Sequence, residues 1–82
     1  MNKLIIYEYI NRLKREDIVN FCKIKDFLVN DNDIDVVYRY VKNDYKRFFN
    51  NPNEILNEVK GIVSDNAYNI ILELYDKYKK FI

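Results

Sequence analysis

Asp31, Asp33 and Asp35 alternate along the chain. An EF-hand calcium loop begins this way, because a hard cation draws several carboxylate oxygens from alternate positions of one tight loop. The rest of the loop is missing. Its sharp turn needs a glycine where Val36 stands, and its bidentate glutamate would fall at Lys42. The three acids read instead as the cap and first turn of a helix, where carboxylates meet the positive end of the helix dipole.

Other reactive side chains fare similarly. Cys22 is the single cysteine, and the chain has no histidine to serve as its base, which excludes a Cys–His nucleophile. Cys22 falls on an apolar helical face and reads as a small buried residue. Glu54 and Glu58 share a helix face at i and i+4, a spacing more typical of a solvated surface than of an acid–base pair. Glycine-rich phosphate loops and zinc-ligand spacings are absent. These observations predict a protein that is not an enzyme and needs no cofactor or metal.

Two groups of residues suit binding. Arg39, Lys42, Lys46 and Arg47 recur at helical spacing with Tyr40 and Tyr45 among them. Cations that neutralise phosphates, with rings that stack on bases, would make a nucleic-acid face. Asp35 and Asp44 dilute that field, so an ordinary solvated face is the competing reading. The second group is tyrosine: there are eight in the chain. Tyr7, Tyr40 and Tyr45 are candidates for a protein interface, because tyrosine is favoured at interface hot spots.

The elements that must position these residues read as helices. One Gly and one Pro argue against a hairpin-rich β-protein. Ile6, Tyr9, Ile10 and Leu13 form one face of a first helix, and Ile18, Phe21 and Cys22 one face of a second, with Glu16 and Asp17 in its first turn. The join at Lys14-Arg15 has no Ser, Thr, Gly or Pro, so a continuous bent helix is open there. Phe27-Leu28-Val29 is an apolar stretch just before a helix cap and reads as a buried hinge. Phe27 and Val29 would face the core and Leu28 away from it.

Asn30 or Asn32 caps a third helix carrying Ile34, Val37, Tyr38, Val41 and Tyr45. Asn43-Asp44 weakens this helix, Phe48 and Phe49 continue its spacing, and Asn50-Asn51-Pro52-Asn53 ends it. Asn51 with Pro52 in the first turn, or Asn53, starts a fourth helix bearing Ile55, Leu56, Val59 and Ile62, with Gly61 near its end. Ser64 or Asp65 caps the last. Its stripe is Ala67, Ile71, Leu74, Tyr78 and Phe81, with Tyr68, Leu72, Tyr75 and Ile82 beside it. The expectation is an all-α single domain over residues 1–82, a compact bundle of four to five short helices with a helix–hinge–helix near the middle.

The 14 basic and 13 acidic side chains leave a net charge of +1, without the basic excess usual in strong nucleic-acid binders. A lone cysteine fits a reducing cytoplasm. No apolar run is long enough to span a membrane. Glu8, Asn11, Arg12 and Lys14 interrupt any signal-peptide pattern at the start. Asn, Ile, Lys and Tyr make up half the chain, and all have AT-rich codons, which points to a low-GC genome, bacterial or viral.

The run Asp17-Ile18-Val19-x-Phe21-Cys22-Lys23, followed by Phe27-x-Val29-Asn30-x-x-x-Ile34, resembles the domain of unknown function 2624 family, the YqfT-like short proteins of low-GC Gram-positive bacteria. There an acid-Leu-Leu-x-Tyr-Ala-Lys helix leads to Ile-x-Ile-Ser and a further helix. Ile55-Leu56-x-Glu58-Val59, Ala67 and Glu73-Leu74-Tyr75 are similar to the family's later segments, so the likeness covers roughly residues 4 to 75. Lys14 departs from a capping threonine, and Asn30 stands for serine. The resemblance implies a small all-helical cytoplasmic protein and supplies no catalytic residues. The helix–hinge–helix is also loosely similar to SAP- and LEM-type modules, which is fold analogy alone. The functional expectation is a non-enzymatic protein-interaction module whose partner is another protein or a second copy. The alternative is a nucleic-acid-binding module led by Arg39, Lys42, Lys46 and Arg47.

Overall fold

In a computed structural model, which describes residues 3–81, the chain forms five helices and, among those residues, no strand. They are α1 (Lys3–Asn11), α2 (Arg15–Ile24), α3 (Asp31–Asn50), α4 (Pro52–Lys60) and α5 (Asp65–Lys79). α3 is the hub and packs on all four others, while α4 also packs on α5. Its 20 residues span about 30 Å at the helical rise, nearly the 33 Å long axis of the molecule. Ile34, Val37, Val41 and Phe48 bury one stripe of α3 against Ile10, Ile18, Ile55, Val59, Ile70 and Ile71 from the surrounding helices.

The first two helices are not continuous. The end of α1 tightens through bonds from the Arg12 and Leu13 N–H groups to the Tyr9 and Ile10 carbonyls (3.1 and 3.0 Å), and Leu13 drops into the core. Lys14 is extended, and its N–H donates to the Asp17 carboxylate at 2.8 Å, half of a capping box. The lysine ammonium has no lone pair with which to complete the other half. The carbonyls freed by the break are satisfied from α3. Lys42 donates its ammonium to the carbonyls of Ile10 and Asn11, and the Tyr38 hydroxyl donates to that of Leu13 at 3.3 Å. These donors lie about 25 to 32 residues away in sequence, so local residues at the join do not reveal the break.

The hinge is a helix stop of defined type. Asp26 takes a left-handed conformation (φ 60°). The Phe27 N–H reaches back to the Cys22 carbonyl at 2.9 Å, and the Asp26 N–H to that of Lys23 at 3.2 Å. This is the Schellman pair of bonds, with aspartate where glycine is usual. Phe27 and Val29 are half-buried rather than buried, and Leu28 is exposed. The reason is geometric: a segment this short between two helices lies along the core's edge. A left-handed L-residue costs about 1–2 kcal/mol, and glycine's extra chain entropy costs about 0.5–1 kcal/mol. Asp26→Gly is therefore expected to stabilise the fold by about 0.5 kcal/mol, and Asp26→Val to destabilise it. Urea unfolding of both variants checks the opposite signs.

Asn30 caps α3, its side-chain oxygen accepting from the Asp33 N–H at 2.8 Å. Arg15 bonds Asp35 at 2.6 Å and the Asp31 carbonyl at 3.3 Å, tying the start of α2 to the start of α3. α3 runs through Asn43-Asp44 to Asn50. Asn51 then precedes Pro52 at the head of α4 without a side-chain cap bond. Ser64 caps α5, accepting from the Ala67 N–H at 3.1 Å. Tyr9, Ile62 and Phe81, expected on core faces, are exposed. Tyr9 leans on Tyr78 at the side of the groove between α1 and α5, and Ile62 and Phe81 lie just beyond the ends of α4 and α5. Ile70, outside the expected stripe, is fully buried because α5 also packs on α4. Ile82 lies outside the described residues.

Candidate interaction surface

α1 and α5 both lean on α3, and between them runs an open groove of about 290 Å³ lined by Ile5, Ile6, Tyr9, Lys77, Tyr78 and Phe81. Its floor is Ile6 and Tyr78, both buried. Its walls are Ile5 and Tyr9 on α1, and Phe81 just beyond α5. The Tyr9 ring lies on Tyr78, with centroids 5.8 Å apart and a 55° tilt. Burial raises the Tyr78 phenol well above its ordinary pKa, with the neighbouring Tyr9 adding to the shift, so Tyr78 stays neutral across the physiological range. The Lys77 ammonium sits 5.5 Å from the Phe21 ring centroid and 5.6 Å from that of Tyr78. Its stem thus covers apolar surface while its charge stays at the rim. Through Lys77 and Phe81 the groove continues to Ile24 at the end of α2.

The tyrosines singled out for an interface lie elsewhere. Tyr7 packs edge-on against Tyr45 (5.1 Å, 68°) and beside Phe49 (6.2 Å), and all three rings are half-buried. Phe49 passes the row on to Tyr75 at 6.2 Å. Tyr40 is half-buried in a smaller hollow between the starts of α3 and α5.

The four basic residues do not act as one free stripe. Lys42 caps α1 as described. Arg47 is held by Glu58 at 2.6 Å, Asp44 at 3.5 Å and Glu54 at 3.9 Å. The two glutamates read as a possible pair from sequence therefore clasp an arginine. Lys46 lies 5.9 Å from the ring centroids of both Tyr7 and Tyr45. Arg39 borders the hollow that holds Tyr40. Two of the four thus spend their charge inside the fold.

The alternating acids part company too. Asp31 and Asp35 hold Arg15, while Asp33 is buried and accepts from the Ser64 hydroxyl at 2.7 Å. Among the described residues no three acidic, cysteine or histidine side chains gather to hold a metal ion. No helix among them is long and apolar enough to cross a membrane. No family model, curated protein or solved structure matches the chain.

Cys22 is buried, and burial raises its thiol pKa. A protonated, covered thiol is a poor nucleophile. In native buffer dithionitrobenzoate is expected to label it far more slowly than in denaturant. Equal rates would show an accessible thiol.

The groove residues were misread from sequence because Tyr9 and Phe81 fit core periodicity. A signal was nevertheless present. α1 carries apolar side chains at six of its nine positions, Leu4, Ile5, Ile6, Tyr7, Tyr9 and Ile10, more than one buried stripe can use.

Proposed function

We propose that the chain is a non-enzymatic protein-interaction module of the cytoplasm, and that it binds through the α1–α5 groove. The observation that carries this reading is the open apolar groove itself, with Ile5, Tyr9 and Phe81 exposed along it and Lys77 at its rim. Grooves of this kind take an amphipathic helix whose anchors recur every three or four residues. Membership of the domain of unknown function 2624 family remains part of the proposal and adds no site residue.

The nucleic-acid alternative draws support from Lys46 beside two tyrosine rings and from Arg39. It loses Lys42 and Arg47 to internal partners. The two readings separate experimentally. A photo-crosslinking benzoylphenylalanine placed at Tyr9, in the native host, is expected to give discrete adducts. They should vanish on adding Ile5→Glu and be absent when the probe sits at the exposed Lys60. Identical patterns at both sites would overturn the groove reading. A gel shift whose affinity falls steeply with salt, and which is lost in an Arg39→Ala/Lys46→Ala variant, would transfer the function to nucleic acid.

A further inference from the structure

We infer that the occupant of the α1–α5 groove is a second copy of this chain, giving a twofold-symmetric dimer. The inference deepens the interaction reading and rests on it. α1 is apolar at six of its nine positions, more than the one stripe that a surface helix buries. Within one copy α3 buries only Ile6 and Ile10 and half-covers Tyr7. Along the groove Ile5 is 51% exposed and Tyr9 56%. The same face continues to Phe81 (45%) and Ile24 (82%).

Area and charge select the occupant. These four side chains expose roughly 450–500 Å² of largely apolar surface, taking about 200 Å² for each side chain when fully exposed. A standard interface uses about 800 Å² per partner, so this face with the lysine stems at its rim suits a small, weak dimer. Homodimer interfaces are more apolar than transient ones, and this face is apolar except at its edges. A net charge of +1 puts almost no long-range repulsion between copies.

The edges are complementary. Lys77 and Lys80 border the α5 side and form no ion pair among the described residues. Glu8 lies on α1, bound only to exposed Arg12 at 2.7 Å. Such an exposed pair is weak and readily exchanged. A twofold axis running along the groove sets the α5 edge of one copy against the α1 edge of the other. Glu8 of each copy then meets Lys77 and Lys80 of its mate, with Tyr9 and Phe81 of both copies between them.

Sedimentation velocity on the full chain from about 5 µM to 500 µM tests this. The expected result is a shift from monomer to dimer, with a dissociation constant on the order of micromolar for so small an interface. Ile24→Glu and Tyr9→Glu alter exposed positions, so circular dichroism melting should show both folded, and each should weaken the dimer at least tenfold. Glu8→Lys should weaken it, as should Lys77→Glu/Lys80→Glu, and combining the two sets should restore it. A monomer throughout, a dimer indifferent to Ile24→Glu and Tyr9→Glu, or no restoration by the charge exchange would each overturn the proposal. A monomer that still gives a Tyr9 adduct of foreign mass would overturn self-association and leave the interaction reading standing. A monomer with no Tyr9-specific adduct would overturn both.

Discussion

Ile70→Ala is expected to lower the unfolding free energy by about 2–5 kcal/mol, the range for removing a large aliphatic side chain from a packed core. Ile70 is fully buried, in the cluster that joins α3, α4 and α5. The loss has two parts: the transfer free energy of three carbons and the void they leave, which neighbours on three helices cannot all close. A domain of 82 residues holds only about 4–12 kcal/mol in total. The variant should therefore be partly unfolded in mild urea or on warming. The urea midpoint should fall with an unchanged slope, since the surface exposed on unfolding is nearly the same. Ile62→Ala, at an exposed aliphatic of the α4–α5 connection, should stay within about 0.5 kcal/mol of the parent. Similar losses for both variants would mean that the α4–α5 packing described above is wrong.

The second large effect lies at Ser64. Its hydroxyl works in two directions: the oxygen accepts from the Ala67 N–H at 3.1 Å, and the O–H donates to the buried Asp33 carboxylate at 2.7 Å. Ser64→Ala removes the cap of α5, worth about 0.5–2 kcal/mol. It also leaves a buried carboxylate short of a donor, at about 1–3 kcal/mol. Because one relaxation serves both, a total near 2–3 kcal/mol is expected. Ser64→Thr keeps both bonds and should cost far less. In a double-mutant cycle, Asp33→Ala should cost at least about 1 kcal/mol less when Ser64 is already alanine. Additive losses would show that the two side chains do not act together, and that the starts of α3 and α5 are joined some other way.

Helix existence was legible because the apolar residues recur at helical spacing and turn-forming residues are scarce. The capping chemistry was legible to within two candidates, Asn30 or Asn32 and Ser64 or Asp65, and it is Asn30 and Ser64 whose side chains bond the third residue of their own helix. A bond that closes within one turn depends on local sequence. The break after α1 was not legible, because its carbonyls are satisfied by Tyr38 and Lys42 from α3. The same tertiary bonds changed the candidate site. Lys42 and Arg47 look like free cations in a helical stripe until the fold brings two carbonyls and three carboxylates to them.

The groove shows the division most clearly. Sequence alone determined that α1 carries more apolar surface than one stripe can bury, and that the chain is all-helical with each cap narrowed to one of two residues. These properties follow from residue type and spacing within a few turns. Only the tertiary structure decided which apolar side chains remain outside. Burial depends on which neighbour lies above each helix flank. α3 covers Ile6 and Ile10, while Tyr9 meets Tyr78 of α5 and stays more than half exposed, and Phe81 and Ile24 are exposed at helix ends. Periodicity can specify that a face is apolar, but what lies over that face is set by long-range packing.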